Sequence, residues 1–147
     1  MGDVDSAGVA ELVRDGDMLH ARLWPSYFRA PGASARSFAE RGSESEVVLV
    51  AERGGDLCGM IHAQIFDAPD LPTLVPRRRL HVENLVVRRS ARRKGLGARL
   101  VREVVGWGRE RGVQEIVLVV WQGNRAAERF YRALGFRVVH HVLGMEV

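Results

Sequence analysis

The chain holds one cysteine, Cys58, which excludes an internal disulfide and offers no cysteine cluster to a metal. No apolar run approaches the ~20 residues of a membrane-spanning helix. Residues 1–5 are acidic and lack the apolar core of a secretory signal, so a cytoplasmic location is expected. Repeats and low-complexity tracts are missing. Lysine is nearly so: of 22 Lys and Arg residues only Lys94 is a lysine. The formal charge of +4 is therefore carried by arginine. Arginines cluster at 77–79, 88–89 and 92–93, which raises the question of a nucleic-acid partner. No aromatic residue interleaves with them to stack on bases, which argues against that partner. The histidines show no metal-ligand spacing, and no metal is expected.

What is present fits one folded domain spanning residues 1–147. Apolar residues make up 46% of it, and a chain of this length buries roughly 70% of its unfolded surface. Apolar periodicity predicts a helix over 6–20. Residues 23–33 hold Pro25, Pro31 and Gly32 and read as a loop, or a short helix at 25–28. A second short helix is possible over 33–41. Valine-rich residues 46–53 and the run 57–66 read as a hairpin closed by Gly54-Gly55-Asp56. Residues 67–76 hold three prolines and form a loop. Then follow a strand at 80–87, a helix at 95–111, a strand at 115–121, a helix at 124–134 and a strand from 136 onward. Strands alternating with helices after a hairpin predict a mixed α/β layer structure.

Between the strand at 80–87 and the following helix lies Arg92-Arg93-Lys94-Gly95-Leu96-Gly97. The first amides of a helix have no carbonyl partner, and the helix dipole adds partial positive charge there. Glycines let an anion approach the backbone, and the three basic side chains add full charges. The stretch reads as a diphosphate cradle or, more plainly, as a solvated arginine-rich turn. The dinucleotide fingerprint G-x-G-x-x-G is missing, since Leu100 stands where the third glycine belongs. The Walker pattern is missing as well.

The stretch does match R/Q-x-x-G-x-G/A, and residues 124–136 match N-x-x-A-x-x-F-Y-x-x-x-G-F at every named position: Asn124, Ala127, Phe130, Tyr131, Gly135 and Phe136. These are the two signatures of the GNAT superfamily of acyl-CoA-dependent N-acetyltransferases, which the chain resembles from about residue 46 to 147. The second has its own local physics. Asn124 suits a helix N-cap, Ala127, Phe130 and Leu134 share a face, and Gly135 suits a left-handed helix end. The resemblance implies a GNAT fold, a central mixed sheet flanked by helices. Two departures stand out. Such chains open with a strand before the first helix, here missing or reduced to residues 1–4. The segment after Phe136 is short for a final hairpin. Residues 143–147 would pair across a homodimer, or follow a bulge in one long strand.

The resemblance also implies roles. Acetyl-CoA would be the co-substrate. Its diphosphate would be held by Arg92, Arg93, Lys94, Gly95, Leu96, Gly97 and Ala98. Its pantetheine arm would lie along the backbone of Leu85, Val86 and Val87, with Asn124 and Tyr131 in contact as well. Tyr131 would be the general acid for the leaving thiolate; the plainer reading is a core aromatic with a bonded hydroxyl. Glu83 is the candidate base, and alternation places it with Leu85 and Val87 on one face. A salt bridge to a nearby arginine would explain Glu83 equally. His81, two residues earlier on that face, is the second candidate base. His62, His140 and His141 read as packing or surface residues. The acceptor pocket is expected at Trp24, Tyr27 and Phe28 and at the loop 67–76, with Glu83 at its edge. Asp67, Asp70 and Glu83 would suit a cationic amine. The expected activity is acetyl transfer to the primary amine of a small molecule. A protein or peptide N-acetyltransferase and a non-catalytic acyl-CoA-binding module are the alternatives.

Overall fold

Glycine conformation and strand alternation shape the central sheet. A computed structural model describes residues 6–23, 26–27 and 43–147. β1 (Glu46–Arg53) and β2 (Asp56–Asp67) pair antiparallel, with Arg53 opposite Asp56. The two residues between them, Gly54 and Gly55, have φ of 59° and 86°. Positive φ at both positions gives the turn whose twist matches a hairpin. β3 (Arg78–Val87) adds antiparallel to β2, and β4 (Glu115–Val117) adds parallel to β3. The order is β1-β2-β3-β4, mixed as expected. A parallel step needs a crossover, and α2 (Leu96–Arg109) supplies it. α1 (Ser6–Leu23) precedes the sheet, and α3 (Arg125–Ala133) follows β4.

Alternation divides the core into two layers. Ile61, Ala63, Leu80 and Val82 meet Leu100, Val101 and Val104 of α2. Met60 and Val86 meet Leu12 and Val13 of α1 on the opposite face. Each fully buried Leu, Ile or Met contributes about 1.5–3 kcal/mol relative to exposure, so these two layers hold the sheet. No described helix is long and apolar enough to cross a membrane.

Three sequence expectations change. α1 extends to Leu23, past the predicted end at His20. The strand expected at 115–121 is paired only over Glu115–Val117, because β3 diverges from it beyond His81. The strand expected from 136 onward is not formed; residues 136–147 carry no regular structure. A valine-rich segment needs a neighbouring strand for its backbone bonds, and none of the described residues pairs with it. The proposed first strand at 1–4, the helix at 33–41, Trp24 and Phe28 lie outside the described residues.

Candidate active site

β3 changes register at Glu83. His62 faces Asn84 and Ala63 faces Val82, so Glu83 is an extra residue in the strand, a β-bulge. The bulge switches parity. Leu80 and Val82 face α2, and after the bulge Leu85 and Val87 pack toward that same layer. The expectation that simple alternation puts Glu83 with Leu85 and Val87 is therefore corrected. Glu83 goes instead with His81, whose Nδ1 lies 3.8 Å from Glu83 Oε1.

Beyond the bulge, β3 has one edge without a strand partner among the described residues. The Arg88 amide donates to the Cys58 carbonyl at 2.7 Å. Backbone direction alternates along a strand. Val86 is therefore directed to β2, opposite Met60, while Leu85 and Val87 aim their backbone groups away from it. β4 pairs with β3 only at 79–81 and leaves a gap on that side. Leu85 and Val87 can thus meet an amide-rich ligand. Val86, expected to do the same, cannot use its backbone that way.

The cradle follows at once. A 3-10 turn at Arg89–Ala91 leads to Arg93 at φ 64° and Gly95 at φ 75°. Gly95 is the N-cap of α2, and no side chain caps this end, so the first amides of the helix stay available. A Cβ placed on Gly95 would meet nothing within 4 Å. Gly97 differs. A Cβ there would lie 3.2 Å from Phe130 Cζ and 3.7 Å from Val87 Cγ2. The absence of a side chain at Gly97 thus lets α2 seat on α3 and β3. Arg92 is also partly committed, since its Nε donates to the Val87 carbonyl at 3.0 Å. Arg93 and Lys94 are exposed with no ion pair among the described residues, and Ala98 is half-buried in the first turn of α2.

α3 begins and ends as its sequence requires. Asn124 Oδ1 accepts the Ala127 amide at 3.2 Å. At the other end the Phe136 amide donates to the Tyr131 carbonyl and Gly135 to Arg132, both at 3.0 Å, with Gly135 at φ 97°. This is the paired-bond helix end that glycine favours. It folds Phe136 back so that Tyr131 lies between Phe130 and Phe136, with ring centroids 5.0 and 5.4 Å away. Phe130 reaches Gly97, and Tyr131 packs against the same core layer as α2. Burial pushes its phenol up to about 12, which keeps the proton on at neutral pH.

The α1 face of the sheet bears His62, read from sequence as a packing or surface residue, in a pairing with Glu46 that the sequence reading did not foresee. His62 is buried, and its Nε2 lies 2.6 Å from Glu46 Oε1. Counting across the hairpin register brings these two residues onto neighbouring strands. The signal was a carboxylate and an imidazole interrupting otherwise apolar strands. His81 and Phe66 meet edge to face at 5.7 Å. Tyr27 is exposed and its ring lies 4.8 Å from Trp121. Asp67, expected to favour a cationic acceptor, instead receives Arg78 through two bonds of 2.8 and 3.2 Å. No metal-binding group of His, Cys, Asp or Glu converges among the described residues. An open cavity of about 450 Å³, lined by Glu44, Arg78, Glu110 and Arg111, shares no residue with the cradle.

Comparison with known proteins agrees with this geometry. The acetyltransferase (GNAT) family matches residues 17–136. The chain belongs to that family. It is 33% identical over 95 residues to mouse (Mus musculus) N-acetyltransferase family 8 member 3, which covers 65% of this chain and 40% of the relative. The chain thus spans about two fifths of the length of that relative. A crystal structure of a BH1408 variant from Bacillus halodurans matches at TM-score 0.91 and 23% identity, over 97% of this chain and 94% of that one. An aminoglycoside N-acetyltransferase, AAC(6')-Iy, in complex with CoA matches at TM-score 0.62 and 21% identity, over 71% and 78%. At such identities the structural matches speak for the GNAT fold.

Proposed function

We propose that the chain is an acetyl-CoA-dependent N-acetyltransferase acting on the primary amine of a small molecule, by direct attack within one domain and in the cytoplasm. The observation that carries this reading is the open edge of β3 after the Glu83 bulge, beside the Gly95 cradle and Tyr131. The residues present suit acetyl-CoA. Arg93, Lys94 and the first amides of α2 would hold its diphosphate. Leu85 and Val87 would bond its amide arm as an added strand does. When bound, it supplies the acetyl group and a thiol leaving group.

The chain's own residues then handle protons. Tyr131 holds a proton at its phenol oxygen and gives it to the departing sulfur. Glu83, or His81 beside it, takes the proton that an ammonium acceptor must lose before it attacks. Both side chains are a little over one third exposed, so water reaches them and can relay that proton. Glu83 with a histidine neighbour favours a cationic acceptor. The CoA-bound aminoglycoside enzyme shares the fold and acts on a small amine, which supports the small-molecule reading.

The test is release of free thiol from acetyl-CoA across a set of amines: aminoglycosides, polyamines, amino acids and peptides with free N-termini. Turnover with a small amine is expected. Turnover confined to peptides would replace this reading with a peptide N-acetyltransferase. Tight acetyl-CoA binding with no turnover on any amine would leave an acyl-CoA-binding module.

A further inference from the structure

β3 and β4 are paired only as far as His81 and Val117. Beyond that point the chain after β4 is apolar and aromatic. Ile116 and Leu118 pack against the α2 layer. Alternation therefore gives Val119 and Trp121 to the opposite face, the one on which α1 lies. Val119 is 72% exposed. The Trp121 ring meets that of Tyr27, in the segment after α1, at 4.8 Å and a tilt of 49°, and Tyr27 is itself 68% exposed. Trp121 is fixed at the entrance to α3, because its carbonyl accepts the Asn124 amide at 3.1 Å.

The β3 side answers with one carboxylate and more rings. Glu83 lies beside His81. Phe66, 47% exposed, stands edge to face on the His81 ring at 5.7 Å. Other charges on these strands are already engaged. Asp67 is held by Arg78, and Arg79 by Glu115. Apolar and aromatic surface around a few polar groups is the composition of a small-ligand site.

We infer that the acceptor is a primary amine carrying an aryl group, with its nitrogen at Glu83 and its ring against Trp121 and Tyr27. This deepens the proposed acetyl transfer and rests on it. A flat ring removes Trp121, Tyr27 and Val119 from water and stacks on the two aromatics. An aminosugar would instead lay hydroxyls against apolar walls that offer them no hydrogen bond. The second ammonium of a polyamine would find Asp67 already bonded to Arg78. The carboxylate of an amino acid would find Arg79 already bonded to Glu115.

Steady-state kinetics with acetyl-CoA on the full chain test this, comparing phenethylamine with butylamine. The kcat/KM for phenethylamine should be higher by about tenfold or more, the scale that one stacked and buried ring supplies. Trp121→Ala and Tyr27→Ala should each draw that ratio toward one, chiefly by raising the KM for phenethylamine. Acetyl-CoA affinity, measured by calorimetry, should hold in both. Trp121→Phe should keep most of the preference. If Trp121→Ala fails to fold, Tyr27→Ala, made at an exposed side chain, decides alone. Equal kcat/KM for the two amines overturns the inference. Variants that slow both amines alike overturn it too, since they assign the rings to structure. Faster turnover of putrescine, kanamycin or glycine overturns it while the N-acetyltransferase reading stands. Acetyl-CoA bound with no amine turned over overturns both.

Discussion

The two ends of β3 begin from similar residues and end in opposite states. At one end, Arg77 and Arg79 both meet Glu115, at 3.1 and 2.9 Å, and Arg78 meets Asp67. β4 is zipped to β3 there, and the Gln114 amide donates to the Arg78 carbonyl. At the other end, among the described residues, Arg93 and Lys94 have no carboxylate, β4 is no longer paired with β3, and Leu85 and Val87 face no strand. The lesson concerns charge. A run of arginines is structural where the fold delivers carboxylates to it, and is available to a ligand where the fold delivers none.

Experiments that sharpen or break this contrast begin at the open end. Tyr131→Phe keeps the ring between Phe130 and Phe136 but removes the proton. Turnover should fall by about 10²-fold or more, with acetyl-CoA affinity little changed. Steady-state kinetics with unchanged turnover would return Tyr131 to a purely structural role.

Reversing the free charges comes next. Arg93→Glu with Lys94→Glu should weaken acetyl-CoA binding by about 10²-fold, since a charged hydrogen bond contributes about 1.5 kcal/mol or more and each 1.4 kcal/mol is tenfold. The melting temperature without ligand should hold. The same reversal at Arg77 and Arg79 should leave affinity unchanged and lower the melting temperature. Calorimetric titration of both variants decides the matter, and equal affinity losses would erase the contrast.

A smaller effect is expected at the bulge. Glu83→Gln should slow the reaction at neutral pH by about 10-fold, the modest value reflecting a site that His81 and water also reach. The rate should recover in part at high pH, where more of the amine is already neutral. A variant that melts earlier with a normal pH-rate profile would move the role of base to His81.

Gly97→Ala sets two terms against each other. Alanine favours a helix by up to about 1 kcal/mol over glycine. Overpacking costs about 1–3 kcal/mol, and the new Cβ would press on Phe130 at 3.2 Å. Overpacking should win, with a net loss of ~1 kcal/mol in denaturant unfolding. A stabilised variant would show that Gly97 is not a packing contact.

The smallest change belongs to the closed end. The Arg77 guanidinium bonded to Glu115 holds its carboxyl below the usual range, with Arg79 adding to the effect. A carboxyl lowered in the folded state stabilises above its unfolded pKa, and that stabilisation is lost as pH falls through the folded value. Glu115→Gln should cost at most about 1 kcal/mol at pH 7, since both arginines are about half exposed. The gap between variant and natural chain should close as the medium is made acid, while acetyl-CoA affinity stays the same. A gap that widens in acid would reverse the assigned sign.

Local chemistry was legible in the sequence because it acts over a few residues. The Gly54-Gly55 turn, the apolar row of α2, the Asn124 cap, the Gly135 helix end and both GNAT signatures are each decided within one short stretch of chain. What only the tertiary structure decided depends on partners distant in sequence. The bulge at Glu83 exists because β2 sets the register of β3 around it, and it turns Glu83 away from Leu85 and Val87. Whether Arg78 or Arg93 is neutralised depends on where Asp67 and Glu115 arrive. Gly97 is small because Phe130, 33 positions later, comes to rest on it. Glu46 and His62 meet because a hairpin folds them together. Residues 137–147 have a strand's composition and form none, because a strand is a relation between two chain segments. Sequence pattern specifies one side of that relation, and the fold decides whether the other side is there.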